Sequence, residues 1–525
     1  MRRLALLFTL ALTLGAASSA SGHNQHDGHH GNDGHHGHGQ DDTAKLLKAV
    51  TVRGILNHEY ALQRIADANN GTRASGTSGF DASRDYVARQ LRQAGYRVTV
   101  QPFDFPFFQE TAPPTFERTA PTARTYVKDT DFVTMDFSGS GDVTGNVVPT
   151  NDVQIPPAAE PGSTSGCEAA DYPPETSGNV ALIQRGTCTF GEKVAAAKAA
   201  GATAVIVFNE GQEGRTDVLS GTLGGPTDIP VVGTSFENGK DLYDLSQSGT
   251  TTVHIATQTL SETRETYNVI ADSPKGDPNQ TVVVGAHLDS VIAGPGINDD
   301  GSGTSTDLEV ARQLQKLRGG HTRNRVRFIF FGAEEEGLLG SQAYVASQTP
   351  EQLAQMKWML DFDMLASPNF VRFVYDGDGS SLGSAGPEGS GAIEAVFNDF
   401  WNSRGLATEP TAFDGRSDYD SFTAVGIPAG GIFAGAEGVK TEEQAAIFGG
   451  TPGVAYDSCY HMACDTTENL NTTALDQFSD AVANATLAFA GTKTPKAPKP
   501  GKRTKRPHKL SAAPTGEHVG HAVIR

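Results

Sequence analysis

Cysteine is scarce in this chain, four in 525 residues, which leaves at most two disulfides to hold it. Basic residues are few as well. The 41 Lys and Arg stand against 61 Asp and Glu, a formal net charge of −20, which argues against a general nucleic-acid binder. Long apolar runs are missing after the first twenty residues, so no later stretch offers the roughly 20 residues that a membrane span needs. Intrinsic disorder of the whole chain is excluded by a hydrophobic share of 37%.

At the N-terminus, Arg2 and Arg3 precede an apolar run from Leu4 to Leu14 and then small residues through Ala20. This is the pattern of a secretory signal peptide, residues 1–20, and the apolar run is too short for an anchor. The mature protein is therefore expected outside the cell or in the periplasm, where paired cysteines are the norm. Residues 21–44 hold seven of the fifteen histidines among Gly, Asp and Asn and read as a flexible segment with loose affinity for metals. Residues 491–525 are basic, proline-spaced and unable to fold alone.

Between these tails the composition changes twice. Residues 45–130 are expected to form the first part of the main domain, helical from Lys45 to about Gln101, with a helix over 82–94 and a strand over 96–100. Residues 131–258 turn to Gly, Pro, Thr and Val with short strands, one helix over 192–200 and the apolar strand Ala204–Phe208. From 259 to 490 strands and helices alternate: 281–286, 304–317, 325–331, 338–347, 359–364 and 392–403. Strands that are apolar throughout belong in a mainly parallel sheet covered by helices on both faces. The fold class expected is α/β, a mixed, mainly parallel sheet flanked by helices, interrupted by a β-rich insertion.

Ligands in such sheets collect at the carboxyl ends of strands. There the sequence places His287 and Asp289, then Asp299, then Glu334 and Glu335, then Asp363, with no cluster of Lys or Arg to neutralise them. Imidazole mixed with converging carboxylates suits zinc or a similar divalent ion. Residues two apart on an extended chain face one way, so Asp289 is expected to accept from the second nitrogen of His287. His461 lies between Cys459 and Cys464. These cysteines either close a small loop around it or bind zinc together with it.

The segments Gly285-Ala286-His287-Leu288-Asp289-Ser290, Gly296-Ile297-Asn298-Asp299-Asp300-Gly301-Ser302-Gly303, Phe331-Gly332-Ala333-Glu334-Glu335, Asp361-Phe362-Asp363-Met364 and Cys459-Tyr460-His461 resemble the co-catalytic di-zinc aminopeptidases of the bacterial leucyl aminopeptidase and aminopeptidase Y type. The resemblance implies two zinc ions bridged by Asp299, one completed by His287 and Asp363, the other by Glu335 and His461. It implies Glu334 as general base; adjacent side chains on an extended segment would point apart, leaving Glu335 for metal and Glu334 for water. It also implies Tyr460 at the developing oxyanion, contacts from Ser417 or Asp418 behind the site, and calcium at Asp476 and Asp480. The partner it implies is a peptide with a free N-terminus whose first residue is large and apolar, and the chain is expected to be a monomer.

Within 131–258, Cys167 and the stretch Asn179 to Phe190 with Cys188 resemble the protease-associated (PA) domain, which implies a Cys167–Cys188 disulfide and a lid or docking role. Two other readings stand beside this one. A glutamate-carboxypeptidase-like exopeptidase needs a cationic pocket, for which Arg416 is the one candidate near a motif, and a receptor-like relative would lack metal ligands that are present here.

Overall fold

The computed structural model describes residues 37–491, so the leader, residues 21–36 of the His-rich segment and residues 492–525 lie outside the described residues. The His-rich segment expected to be flexible through residue 44 is helical from Gly37. The helix Gly37–Ala49 continues into buried Leu46, and Val50 is buried just beyond it, which gives this end of the chain apolar anchors.

Four parallel strands form the centre of the main sheet, in the order Ala429–Phe433, Met356–Phe362, Asp277–His287, Asn324–Phe331. Their side chains alternate between two apolar layers. Val282, Val284, Phe328 and Phe330 join one cluster with the helices Ser78–Ala94, Gly301–Lys316 and Thr472–Gly491. Val283, Ile329 and Phe331 join the other, against Tyr344 and Phe422. Burial on both faces is why these strands read as unbroken apolar runs, and each such side chain contributes about 1.5–3 kcal/mol. Because the four strands run parallel, their carboxyl ends share one edge.

The expected five-residue strand over 96–100 is in fact Arg97–Ala120, paired antiparallel with Thr252–Asp272 from Arg97 opposite Asp272 to Ala120 opposite Thr252. Pro102, Pro106, Pro113 and Pro114 hid it, since proline argues against a central strand; this strand runs along an edge, where a missing N–H leaves no ladder bond unmade. The ribbon carries the insertion. There Gly141–Pro149, Val180–Gln184, Ala204–Phe208 and Val231–Thr234 pair in parallel, with helices Phe190–Ala199 and Phe236–Ser248. Thr189 and Glu192 form a reciprocal cap that starts the first of these helices. Cys167 and Cys188 are joined.

Candidate metal centre and active site

Each candidate ligand stands at, or just past, the carboxyl end of a central strand or at a loop brought to it. His287 ends Asp277–His287, Glu334 and Glu335 follow Asn324–Phe331, and Asp363 follows Met356–Phe362. Asp299 sits immediately before the helix Gly301–Lys316, which approaches the sheet so closely that a Cβ on Gly303 would stand 1.9 Å from the Phe362 carbonyl. Ala333, Met364 and His461 all have positive φ (51°, 57° and 57°) without being glycine. Such conformations persist only where surrounding contacts impose them, and they gather at functional sites.

Asp299 stands between two histidines. Its Oδ1 is 3.1 Å from His287 Nε2 and its Oδ2 3.1 Å from His461 Nε2. On one side His287 Nε2 also lies 3.6 Å from Asp363 Oδ1 and 3.8 Å from Glu334 Oε2; on the other, His461 Nε2 is 2.9 Å from Glu335 Oε2. Burial works against protonating His461, but Glu335 and Asp299 outweigh it and hold the ring up at about 11. Burial likewise opposes ionisation of Asp299, yet its bonds to His287 and His461 hold it well below the usual carboxylate range.

This donor set fits a pair of divalent cations. His287 Nε2 is crowded by carboxylate oxygens from three residues, more than a single N–H can serve. Glu335 Oε1 and Asp363 Oδ1 are buried without a hydrogen-bond partner, a costly arrangement that a cation relieves. Imidazole with carboxylate is zinc chemistry.

Two expectations need correction. Asp289 does meet the second nitrogen of His287, but through its main-chain carbonyl at 3.2 Å; its carboxylate is 3.9 Å away and accepts from the Glu334 N–H instead. The strand bends sharply past Phe331, so Glu334 and Glu335 lie in a turn after left-handed Ala333 and not on an extended segment. The turn still brings both carboxylates to the centre. The loop closure expected around His461 is present: Cys459 and Cys464 are bonded to each other, so neither is left as a zinc ligand.

A supporting network went unread in the sequence. The Asp300 carboxylate accepts from the N–H groups of His287, Gly303 and Met364, tying three ligand-bearing segments together. Asp465 accepts from the N–H groups of Asn298 and Asp299, and Asn469 links it to Asp457, which also accepts from Asn298 Nδ2. From a distant part of the chain, Arg73 is fully buried and donates to the carbonyls of Leu288, Pro295 and Gly296. Asn298 and Asp300 lie inside the Gly296–Gly303 motif and Asp465 stands one position past the second cysteine, whereas no local pattern marks Arg73, Asp457 or Asn469.

A pocket opens onto the centre, with Met364, Tyr375, Phe433 and Ala436 as its apolar wall and Tyr460 and Arg416 on its polar side. Tyr460 stacks on the His461 ring at 3.8 Å and receives a hydrogen bond from Arg416 Nη2 at 3.3 Å; burial, then Asp299 and Glu335, keep its phenol protonated. Arg416 is itself bound to Glu437 at 2.8 Å, which neutralises the pocket cation a carboxypeptidase would use. Behind the centre, Ser417 lies beside the buried Asp361 carboxyl, and buried Asp418 lies within the field of Glu334. Asp480, expected at a calcium site with Asp476, faces Arg404 at 3.9 Å.

Comparison with known proteins agrees with this geometry. Residues 268–486 match the model of peptidase family M28, and residues 143–242 match the PA domain. An aminopeptidase of Pseudomonas aeruginosa is 45% identical over 444 residues, 84% of this chain and 81% of that one. A protein of Aspergillus oryzae described as a probable leucine aminopeptidase 2 is 40% identical over 424 residues, 80% of each chain. Among solved structures, the aminopeptidase from Aneurinibacillus sp. strain AM-1 superposes with a TM-score of 0.65 at 27% identity, covering 85% of this chain and 95% of that one. A Bacillus subtilis zinc aminopeptidase shares the fold at a TM-score of 0.56 and 24% identity, over 83% of this chain and 94% of that one. The chain belongs to peptidase family M28, as an aminopeptidase-type member with an inserted PA domain.

Proposed function

We propose that this protein is a secreted zinc aminopeptidase that removes large apolar residues from the free N-termini of peptides. The observation that carries the reading is Asp299, one carboxylate facing two histidines at 3.1 Å each, with a further carboxylate beside each imidazole. His287 and Asp363 would hold one zinc, His461 and Glu335 the other, and Asp299 both. When bound, the pair supplies Lewis acidity for water and for the scissile carbonyl, and an anchor for the free α-amine.

The chain's own groups do the rest. Glu334, placed on the cavity beside the ligands, takes the proton from the attacking water and returns it to the leaving amine. Tyr460, held protonated, donates from its phenol to the oxygen that gains charge. The wall of Met364, Tyr375, Phe433 and Ala436 receives an apolar first side chain and excludes water from the reacting bond. Two disulfides, together with the N-terminal leader sequence, support secretion. Among the described residues, no helix is long and apolar enough to cross a membrane.

The zinc-loaded chain is expected to release leucine from leucine p-nitroanilide and from Leu-initiated peptides but not from their N-acetylated forms. Glu334→Gln is expected to lower kcat by about 10²–10⁴-fold with two zinc ions still bound. Release from the blocked peptides would overturn the exopeptidase reading, and loss of zinc in the variant would make Glu334 a ligand.

A further inference from the structure

A second group of acids lies away from the zinc ligands, where the loop after the strand Phe373–Tyr375 meets the first turns of the helix Ser390–Asn402. Asp376, Asp378 and Glu394 each present a carboxylate oxygen, and these oxygens lie within 4.8 Å of one another. Local main chain holds them in that convergence. Glu394 Oε2 accepts from the N–H groups of Gly377 and Asp378 at 2.9 and 3.3 Å, and Asp378 Oδ1 accepts from the Ser380 N–H at 2.9 Å. A Cβ on Gly391 would stand 2.9 Å from that of Asp378, so the helix start is pressed against the loop.

Convergence of acids is common on protein surfaces, but one oxygen here is unusual. Asp376 is fully buried, and its Oδ2 is committed to the N–H groups of Ser381 and Leu382. Its Oδ1, the oxygen left to offer, is buried with no hydrogen-bond partner at all. A buried carboxylate oxygen with nothing to accept from costs free energy unless a cation meets it. None of the three residues is ion-paired with Lys or Arg among the described residues, so nothing in the described chain supplies that charge.

We propose that Asp376, Asp378 and Glu394 bind a hard divalent cation of the Ca²⁺ class. Three carboxylates with no imidazole or thiolate suit Ca²⁺ rather than zinc, and the half-open position leaves room for the waters that complete its six to eight oxygen ligands. The consequence reaches the cleft. Tyr375, which precedes Asp376 directly, lines the apolar wall, and its strand pairs with Glu409–Thr411, whose Thr411 lines the same cavity. A cation joining the loop to the helix braces that wall, which makes the site structural in kind and separate from the reaction.

The test is equilibrium dialysis of the zinc-loaded full chain against Ca²⁺ alone, with thermal melting in 0 and 10 mM Ca²⁺ in parallel. The expected result is one Ca²⁺ per chain with Kd of about 10⁻⁴–10⁻³ M and a rise in Tm of about 1–3 °C. Asp378→Asn, an exposed position that does not threaten folding, is expected to weaken binding at least 10-fold, and Asp376→Asn/Asp378→Asn to abolish both effects. Asp480→Asn is expected to leave both unchanged. Absence of bound Ca²⁺ at 10 mM on folded, zinc-loaded protein overturns the proposal. So does binding that Asp480→Asn removes and Asp378→Asn spares.

Discussion

Arg73 is the residue outside the motifs whose loss should be felt most. Its guanidinium is fully buried and donates to the carbonyls of Leu288, Pro295 and Gly296, the turn that runs from His287 to Asp299. Its charge also faces four buried acids, Glu59, Asp289, Asp465 and Asp300. Arg73→Met leaves the carbonyls of Leu288 and Pro295 without a donor, while that of Gly296 keeps the Gly301 N–H, at about 1–3 kcal/mol for each that water cannot reach, and strips a buried cation from its acids, a class of change that costs about 3–5 kcal/mol. The two losses overlap because one group causes both. A net fall of about 3–5 kcal/mol in unfolding free energy is expected. Arg73→Lys restores the charge but not the fork that reaches separate carbonyls, and should recover about half. Since the turn carries Asp299, zinc affinity should fall with stability, by about 10–100-fold, as for other residues that orient ligands. Urea unfolding and competitive zinc titration measure the two. If Arg73→Met stays within about 1 kcal/mol of the parent and binds zinc equally well, the clamp is not what holds the turn.

Tyr460→Phe removes the phenol donor and should lower kcat by about 10²-fold with little change in KM in a p-nitroanilide assay; an equal loss in KM would mean a binding role. Opening the small loop by Cys459→Ser/Cys464→Ser should cost about 2 kcal/mol of stability by the chain-entropy relation and weaken zinc binding through His461, whereas Cys167→Ser/Cys188→Ser in the insertion should leave zinc affinity unchanged in the same titration. Asp136 is pushed up to about 7 by burial first and Glu110 second. A carboxyl raised in the folded state penalises the ionised fold, so stability should fall as pH rises from the ordinary carboxylate range to about 7. Asp136→Asn should flatten that slope and stabilise the protein at pH 8 by about 1–2 kcal/mol in thermal melts; an unchanged slope between pH 5 and 8 would refute the assignment.

Sequence carried far for the catalytic core. Strands over 281–286, 325–331 and 359–364 were legible because both faces are covered and their centres are apolar, Val282 to Val284, Phe328 to Phe331 and Met359 to Leu360, and the candidate ligands stand where parallel strands end. The strand Arg97–Ala120 was not legible, because its prolines contradict a central strand and nothing local announces a ribbon. The turn at Glu334 was misread for a similar reason. A bend imposed by packing against Tyr267 and Phe80 at Gly332 leaves no mark in the two residues that follow it.

The sequence by itself determined the ligand types, their order along the chain and their attachment to strand ends, since these follow from hydrophobic period and residue chemistry. Only the tertiary structure decided which groups meet. Asp299 faces two histidines because the His461 loop, 162 positions further on in the numbering, is bound to it through Asp465. Arg73 reaches the same turn from the other end of the chain. The Asp376 oxygen became conspicuous only once burial showed it without a partner. Contacts of that kind depend on packing between distant segments, and the cost of burying charge is a property of place, which no local pattern of residues records.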